Sequence, residues 1–297
     1  MSTWKTYTLK LSLTIAGGLL PLTLLGQGPV ATTRLIPDGW YVYPSGKLKN
    51  LDETTLRCFN YSQNEWKVIS EGDGVKITKL LRQGDTSVLP TLPPLLKHED
   101  GMPGRTINAG LRSATHFENS WLLAYDAGEW GGGLWLTNDE GSKTKRIISD
   151  NVRAVVPIEG GILVLSGLAH MSMDFGNAFI FSNPDGLNIS LQHFIHLDGE
   201  PSAYAKEPNG SILFVTTYGL CRITKSGELL RLTYFPKWTR QQYPNSMAIS
   251  SDGSIFIAMR MFVLKLRASA RGYSEEWLLP NECRKFDLKQ FDCVCKP

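Results

Sequence analysis

The sequence predicts an all-β fold, a β-propeller of four-stranded blades, from a repeat and from the period of its apolar residues. Four segments begin with a turn pair and continue with alternating apolar residues: NSWLLAYD at 119, GGILVLSG at 160, NGSILFVTT at 209 and DGSIFIAMR at 252. Their spacings are 41, 49 and 43 residues. The alternation has a period of two, and no helical period is sustained in this half of the chain. Units of this length are typical of propeller blades.

Each repeat is predicted to contain four short strands. One precedes the turn pair, as in RAVVPIEGG, SAYAKEPNG and SMAISSDG, and the segment after the turn pair is the second. The third strands are GLWLTNDEG, AFIFSNPDG, GLCRITKSG and FVLKLRASARG, and a weaker fourth follows, such as ELLRLTYF. Turn residues stand where hairpins need them. At about 45 residues per blade, we expect six blades, or seven if some are short.

The first third of the chain is less regular. PDGWYVYPSGKLKNL and NEWKVISEGDGVKITKLL have strand and turn character and are candidates for two degenerate blades. VLPTLPPLLKHEDGMPG is rich in proline and is interpreted as a long loop over one face.

The repeats resemble the blades of NHL-type and SMP-30-like propellers. DGSIFIAMRMFVLKL and NGSILFVTTYGLCRITKSGELLRL carry the resemblance, which covers about residues 110–280 and is specific for the fold. Some SMP-30-like and streptogramin-lyase propellers catalyse on one face, generally with a metal held by acidic or Asn residues. The resemblance therefore implies a lactone hydrolase or lyase as one possible function. The inner strands here place no matching polar residue at one position in successive blades, which favours binding over catalysis.

Residues 1–28 have the pattern of a secretory signal peptide. Lys5 and Lys10 precede LSLTIAGGLLPLTLLG, 16 residues without a charge, and small residues stand at Gly26 and Gly28. The run is shorter than the ~20 residues of a membrane span, and a retained anchor is the alternative. We expect a secreted or periplasmic chain, 29–297, without stable membrane insertion. Its formal charge falls from +3 to about +1 on loss of two lysines, so we expect no nucleic-acid partner.

Five cysteines indicate a disulfide rather than a zinc site, because no Cys-x-x-Cys pair occurs. We expect Cys283 to bond either Cys293 or Cys295 in the tail, 281–297, and the spare cysteine to reach Cys58 if the chain ends meet. Cys221, in the strand GLCRIT, is expected to be a buried free thiol.

Catalytic signatures are missing from the sequence, and we expect no cofactor and no metal. Phosphate-loop, nucleophile-elbow and His-Glu-x-x-His motifs do not occur. The glycines at 131–133 lack the following helix that a phosphate cradle needs. His193 and His196 point to opposite faces of a strand, which argues against shared metal ligation.

One end of the predicted blades, here called the top face, collects the loops between second and third strands and the linkers between repeats. The loops are AGEWGG, SGLAHMSMDFGN, TYG and MRM, and the linkers are ISDNVR, HLDGEPS and YFPKWTRQQYPN. AGEWGG is expected to join two strands of a hairpin with Glu129 and Trp130 at its tip, and SGLAHMSMDFGN is interpreted as a long loop. Residues expected on this face also include His196, Asp198, Glu200, Arg240 and Tyr243.

The top face is predicted to bind a ligand, which is a protein, a glycan or a small molecule. Aromatic, arginine and acidic side chains together suit recognition. The expected binding residues are Asp126, Glu129, Trp130, His170, Asp174, Tyr218, Trp238 and Arg260. The sequence thus predicts a monomeric, exported, non-catalytic binding module, with the metal-dependent lactone hydrolase or lyase as the alternative.

Overall fold

Strands make up almost all the regular structure of this protein. The structure, a computed structural model, describes residues 36–43, 62, 64–80, 111–117, 119–234, 243–270, 272–281, 285–286 and 295–296. These residues form 21 strands and one 3-10 turn and contain no α-helix. They belong to one compact unit, Leu35–Pro297. The all-β prediction is confirmed.

The first three strands come from the segments predicted to be degenerate blades. They are β1 (Trp40–Tyr43), β2 (Trp66–Glu71) and β3 (Gly74–Lys79), of which β2 and β3 form an antiparallel hairpin. Trp66 and Val68 are buried whereas Lys67 is exposed, because successive side chains of a strand point to opposite faces.

Three antiparallel sheets of four strands follow, each in chain order. The first contains β4 (Leu111–Phe117), β5 (Ser120–Asp126), β6 (Gly132–Asn138) and β7 (Thr144–Ile148). The second contains β8 (Val152–Ile158), β9 (Gly161–His170), β10 (Met173–Phe181) and β11 (Leu191–Leu197). The third contains β12 (Pro201–Lys206), β13 (Ile212–Thr216), β14 (Gly219–Ile223) and β15 (Leu229–Tyr234).

The last large sheet gains a fifth strand from the beginning of the chain. Its order is β1-β19-β18-β17-β16, and β1 runs antiparallel to β19 with Trp40 opposite Pro280. Its later strands are β16 (Ser246–Ile249), β17 (Ile255–Ala258), β18 (Val263–Ser269) and β19 (Gly272–Pro280). A short pair in the tail joins β20 (Lys285–Phe286) to β21 (Cys295–Lys296).

Separate apolar clusters fill the interface between the first and second sheets and that between the second and third. Strand β9 shows why: Ile162 and Val164 pack toward the first sheet, while Leu163 and Leu165 pack toward the third. Alternate residues face opposite neighbours, so the strand has a continuous apolar run, Ile162–Leu165. Burial of each such side chain contributes roughly 1.5–3 kcal/mol. Similar clusters join the third sheet to the last and the last sheet to the β2–β3 hairpin.

The predicted repeat of four-stranded units is confirmed, with the strand before each turn pair as the first of its sheet. The number of blades and the closure of a ring stay predictions, because residues 44–61 and 81–110 lie outside the described residues. The predicted signal peptide, 1–28, lies outside them too. Among the described residues, no helix is long and apolar enough to cross a membrane.

The cysteine predictions have different outcomes. Cys221 is a free thiol and only 3% exposed, as expected. Cys58, Cys283 and Cys293 lie outside the described residues, and for Cys295 only the strand pairing opposite Phe286 is described. The predicted disulfide therefore stays a prediction.

Candidate functional site

A cleft of about 640 Å³ opens on the top face, where side chains from several sheets meet. The second-to-third strand loops and the linkers expected there supply most of its wall. Its charged and histidine lining residues are Glu65, Arg153, His170, Asp174, Glu200 and Arg260.

Arg153 joins three sheets at this cleft. It lies on β8 of the second sheet, and its guanidinium pairs with Asp126 at the end of β5 and with Glu200 in the linker before β12. Asp126 and Glu200 are 2% and 9% exposed. Buried carboxylates need such a partner, because removal from water is costly for an isolated charge. Arg153 therefore fixes both acids and the sheets that carry them.

Asp174 is held by neutral donors on the other wall. Its Oδ1 atom accepts hydrogen bonds from the backbone amide of Glu200 at 3.1 Å and from the Thr217 hydroxyl at 3.0 Å. These bonds connect the β9–β10 hairpin to the third sheet, so the position of Asp174 depends on both.

Arg260 connects the last sheet to the β2–β3 hairpin. Its guanidinium carbon lies 3.9 Å from the centre of the Tyr243 ring, a cation–π contact. Its Nε atom lies 3.9 Å from Oε2 of Glu65, whose Oε1 accepts a hydrogen bond of 3.3 Å from the Asn245 side chain.

The AGEWGG segment forms the predicted hairpin connection between β5 and β6. A 3-10 turn, Gly128–Trp130, lies between the strands, and Trp130 is 67% exposed. The Gly128 amide donates to Asp126 Oδ1 at 2.9 Å. Glu129 Oε2 lies 2.8 Å from His170 Nε2, which ties the tip to the next sheet.

Two of the three glycines at 131–133 are needed, each for a different physical reason. Gly131 has φ +94°, in the region that favours glycine. A Cβ atom on Gly132 would lie 2.5 Å from the Tyr125 carbonyl oxygen and 2.6 Å from the Asn151 Cα atom. The run therefore serves a turn and a close backbone approach, as the absence of a following helix suggested.

The long loop predicted at 166–177 is wrong. Strands β9 and β10 continue to His170 and from Met173, which pair with each other, so only Met171 and Ser172 form the turn. Gly167 and Gly176, which signal a loop in the sequence, are paired strand residues. A Cβ on Gly176 would lie 2.1 Å from the Gly199 carbonyl oxygen, so glycine is required there by close packing.

Strained backbone is concentrated around the cleft. Among the described residues, the non-glycine residues with positive φ are Met171 (51°), Tyr243 (51°) and Met261 (69°). The first two line the cleft, and Met261 follows Arg260 in the chain. Such conformations cost of the order of 1–3 kcal/mol each and cluster at functional sites.

The predicted binding residues are only partly brought together. His170, Asp174 and Arg260 line the cleft, and Asp126 and Glu129 pair with residues that line it. Tyr218 is half-buried, and its ring lies parallel to that of Tyr234 with centroids 6.3 Å apart. Trp238 and Arg240 lie outside the described residues.

Sequence reasoning did not identify Arg153 and Glu65. Arg153 stood in the expected top-face linker ISDNVR, and the available signal was a charged residue directly before the apolar run AVV of a predicted strand. Glu65 gave no signal, because its hairpin reaches the cleft only by packing against β16 and β17. Among the described residues, no three His, Cys, Asp or Glu side chains lie close enough together to hold a metal ion.

No family model and no curated protein matches the chain. Solved structures similar to it include a streptogramin B lyase (14% identity, TM-score 0.38), a gluconolactonase from Xanthomonas campestris (16%, 0.34) and a virginiamycin B lyase from Staphylococcus aureus (13%, 0.37). The alignments cover 56%, 60% and 71% of this chain and 54%, 60% and 69% of those chains. The chain thus spans little more than half the length of the first two. Likeness at this level carries no functional conclusion, and the fold assignment rests on the sheets themselves.

Proposed function

We propose that the chain is an exported propeller and a non-catalytic binding module that holds its ligand in the top-face cleft. The pairing of β1 with β19 supports the propeller, because a ring needs the beginning of the chain beside its last blade.

The main support for the proposal is that the two arginines of the cleft are each held in place by neighbouring side chains. Arg153 is fixed between Asp126 and Glu200, and Arg260 between Tyr243 and Glu65. Groups fixed before binding lose little conformational freedom when a ligand arrives, which favours recognition.

The rim of the cleft adds exposed apolar surface. Met171 and Met173 line the cleft and are 91% and 48% exposed, and Trp130, 67% exposed, follows Glu129, which pairs with the lining residue His170. Tryptophan supplies rigid contact area, and methionine adapts its shape to different partners. A polar cleft with an apolar rim suits a protein, a glycan or a small molecule that has both kinds of surface.

A metal-dependent lactone hydrolase or lyase is the second candidate. It is favoured by the presence of His170 and three carboxylates, Glu65, Asp174 and Glu200, around one cleft. Residues of these types move protons. No three His, Cys, Asp or Glu side chains among the described residues lie close enough together to hold a metal ion, so the arrangement favours the proton chemistry of this candidate and not its metal.

Two measurements on the same proteins test these candidates. Ser202 lines the cleft and Ser226 lies in an exposed turn outside it, so Ser202→Trp should fill the cleft and Ser226→Trp should not. Peptides, glycans and metabolites from the natural environment are screened by thermal shift, and bound compounds are recovered and analysed by mass spectrometry. Gluconolactone and streptogramin B are incubated with each protein, with and without divalent metal ions.

The binding module predicts a ligand that stabilises wild type and Ser226→Trp, does not stabilise Ser202→Trp and is recovered unchanged. Conversion of a lactone by wild type but not by Ser202→Trp would establish the enzyme instead. A ligand that stabilises all three proteins equally would place the binding site elsewhere.

The proposed export has its own test. Mass spectrometry of the protein from its native organism should find a mature N-terminus close to Gly28 in the medium or periplasm. A cytoplasmic chain that keeps residues 1–28 would contradict export.

A further inference from the structure

We propose that β11 is a self-association edge through which two copies of this chain pair antiparallel. Strand β11 is the outermost strand of the second sheet, whose order is β11-β10-β9-β8. Most of its residues are exposed, including Leu191 at 53% and Phe194 at 46%. An outer strand of this kind offers backbone groups to a further strand.

The sequence of β11 lacks the usual protection of an edge. LQHFIHL contains no Lys, Arg, Asp, Glu or Pro. The outer strands of the first and third sheets carry Lys145 and Arg146 on β7 and Arg231 on β15. Charged residues on an edge oppose pairing, since they meet like charges on a second copy. Among the outer strands of these three sheets, only β11 can meet itself without like charges.

The last sheet shows that an outer edge of this fold accepts a fifth strand. Strand β1 adds antiparallel to β19 over four residue pairs, from Trp40 opposite Pro280 to Tyr43 opposite Trp277. Among the described residues, no strand pairs with the outer side of β11 in the second sheet, and β11 is longer than β1 by three residues.

The edge is also complementary to itself. Antiparallel pairing about Phe194 places Phe194 opposite its counterpart, Gln192 opposite His196 and His193 opposite Ile195. The Phe194 ring already lies 5.0 Å from that of Phe179 on β10, so the dimer would extend an aromatic row across a two-fold axis.

The dimer should be weak. A single pair of seven-residue strands buries much less than the roughly 800 Å² per partner of a stable interface. We therefore expect a dimer that depends on concentration, in place of the monomer predicted from the sequence.

Sedimentation equilibrium of the full chain from about 5 to 300 µM, the range suited to a small interface, tests the proposal. Phe194→Lys places two lysines opposite each other. Tyr234→Lys is the matched control, because Tyr234 is also an exposed aromatic residue (53%) on an outer strand, β15. Gln192→Lys combined with His196→Lys, both at exposed positions of β11, is a second disruptive variant, because pairing about Phe194 sets residue 192 of one copy opposite residue 196 of the other. Thermal unfolding verifies that each variant is folded.

The expected result is that wild type and Tyr234→Lys approach twice the 33.1 kDa chain mass at high concentration. Phe194→Lys and the Gln192→Lys/His196→Lys double variant should dimerise at least ten times more weakly. A wild type that stays monomeric overturns the proposal, even if it takes up a strand from another protein. So do folded lysine variants of β11 that dimerise as strongly as wild type.

Discussion

Replacement of Arg153 by methionine tests the ion pairs that join three sheets at the cleft. The side chains of Arg153, Asp126 and Glu200 are 25%, 1% and 11% exposed. Loss of one partner from a buried ion pair costs about 3–5 kcal/mol, because the remaining charge stays in a poorly solvated site. Since Arg153 is itself partly exposed, we expect the lower end, about 3 kcal/mol of unfolding free energy.

Lys225→Met is the matched control. Lys225 pairs with Glu159, but the two side chains are 58% and 74% exposed, so water screens their attraction. The expected loss is below about 1 kcal/mol. Arg153→Met combined with Glu200→Gln should recover part of the loss, because one of the two buried charges is then removed.

Equilibrium urea unfolding, followed by tryptophan fluorescence, measures these differences in unfolding free energy. The comparison is valid when the slope of unfolding free energy against urea concentration is the same for all variants. The interpretation of Arg153 is refuted if Arg153→Met loses no more stability than Lys225→Met.

Three further predictions concern separate features. Glu129→Ala with Trp130→Ala should leave the melting temperature within a few degrees, because Trp130 is exposed, and should weaken ligand binding; a large loss of stability would contradict this. Hydrogen bonds from the Ser250 hydroxyl and the Ser254 amide lower the pKa of Asp252 to about 2. Ionised Asp252 stabilises the fold fully above about pH 4, and this contribution is lost toward pH 2. The difference in unfolding free energy between wild type and Asp252→Asn should therefore shrink over that range in urea titrations. A constant difference would refute the assignment. Burial, with the negative charge of Asp198, raises the pKa of the Cys221 thiol to about 11, so iodoacetamide at pH 8 should label it only after unfolding, and rapid labelling of the folded protein would contradict this.

The parts of the fold that depend on local pattern were predictable. The four-stranded repeat follows from the period-two alternation of apolar residues and from the turn residues between strands. Each of these signals is contained within a few neighbouring residues of the sequence. The hairpin tip at Glu129 and Trp130 is of the same kind, because Gly131 supplies the positive φ of the turn locally. Cys221 was predictable because it shares one face of the alternating strand GLCRIT with Ile223, two residues further on.

The rest depends on contacts between residues far apart in the chain. Gly167 and Gly176 suggest a loop, but a Cβ atom on either would meet Pro201 of the next sheet, and one on Gly176 would also meet Gly199 in the linker before that sheet. Arg153 acquires its role only when Asp126 and Glu200, from two other sheets, reach its guanidinium. Glu65 enters the site because its hairpin packs beside the last sheet, which no local pattern in its segment indicates.

The central claim is that the top-face cleft binds the ligand, and crystals soaked with a library of small chemical fragments test it most directly. We predict that the largest group of bound fragments occupies the cleft and contacts Arg153, Asp174 or Arg260. Small molecules concentrate at concave sites whose polar groups are already fixed, and the polar cleft with its methionine rim is such a site. An empty cleft, with fragments gathered elsewhere on the same molecule, would contradict the account.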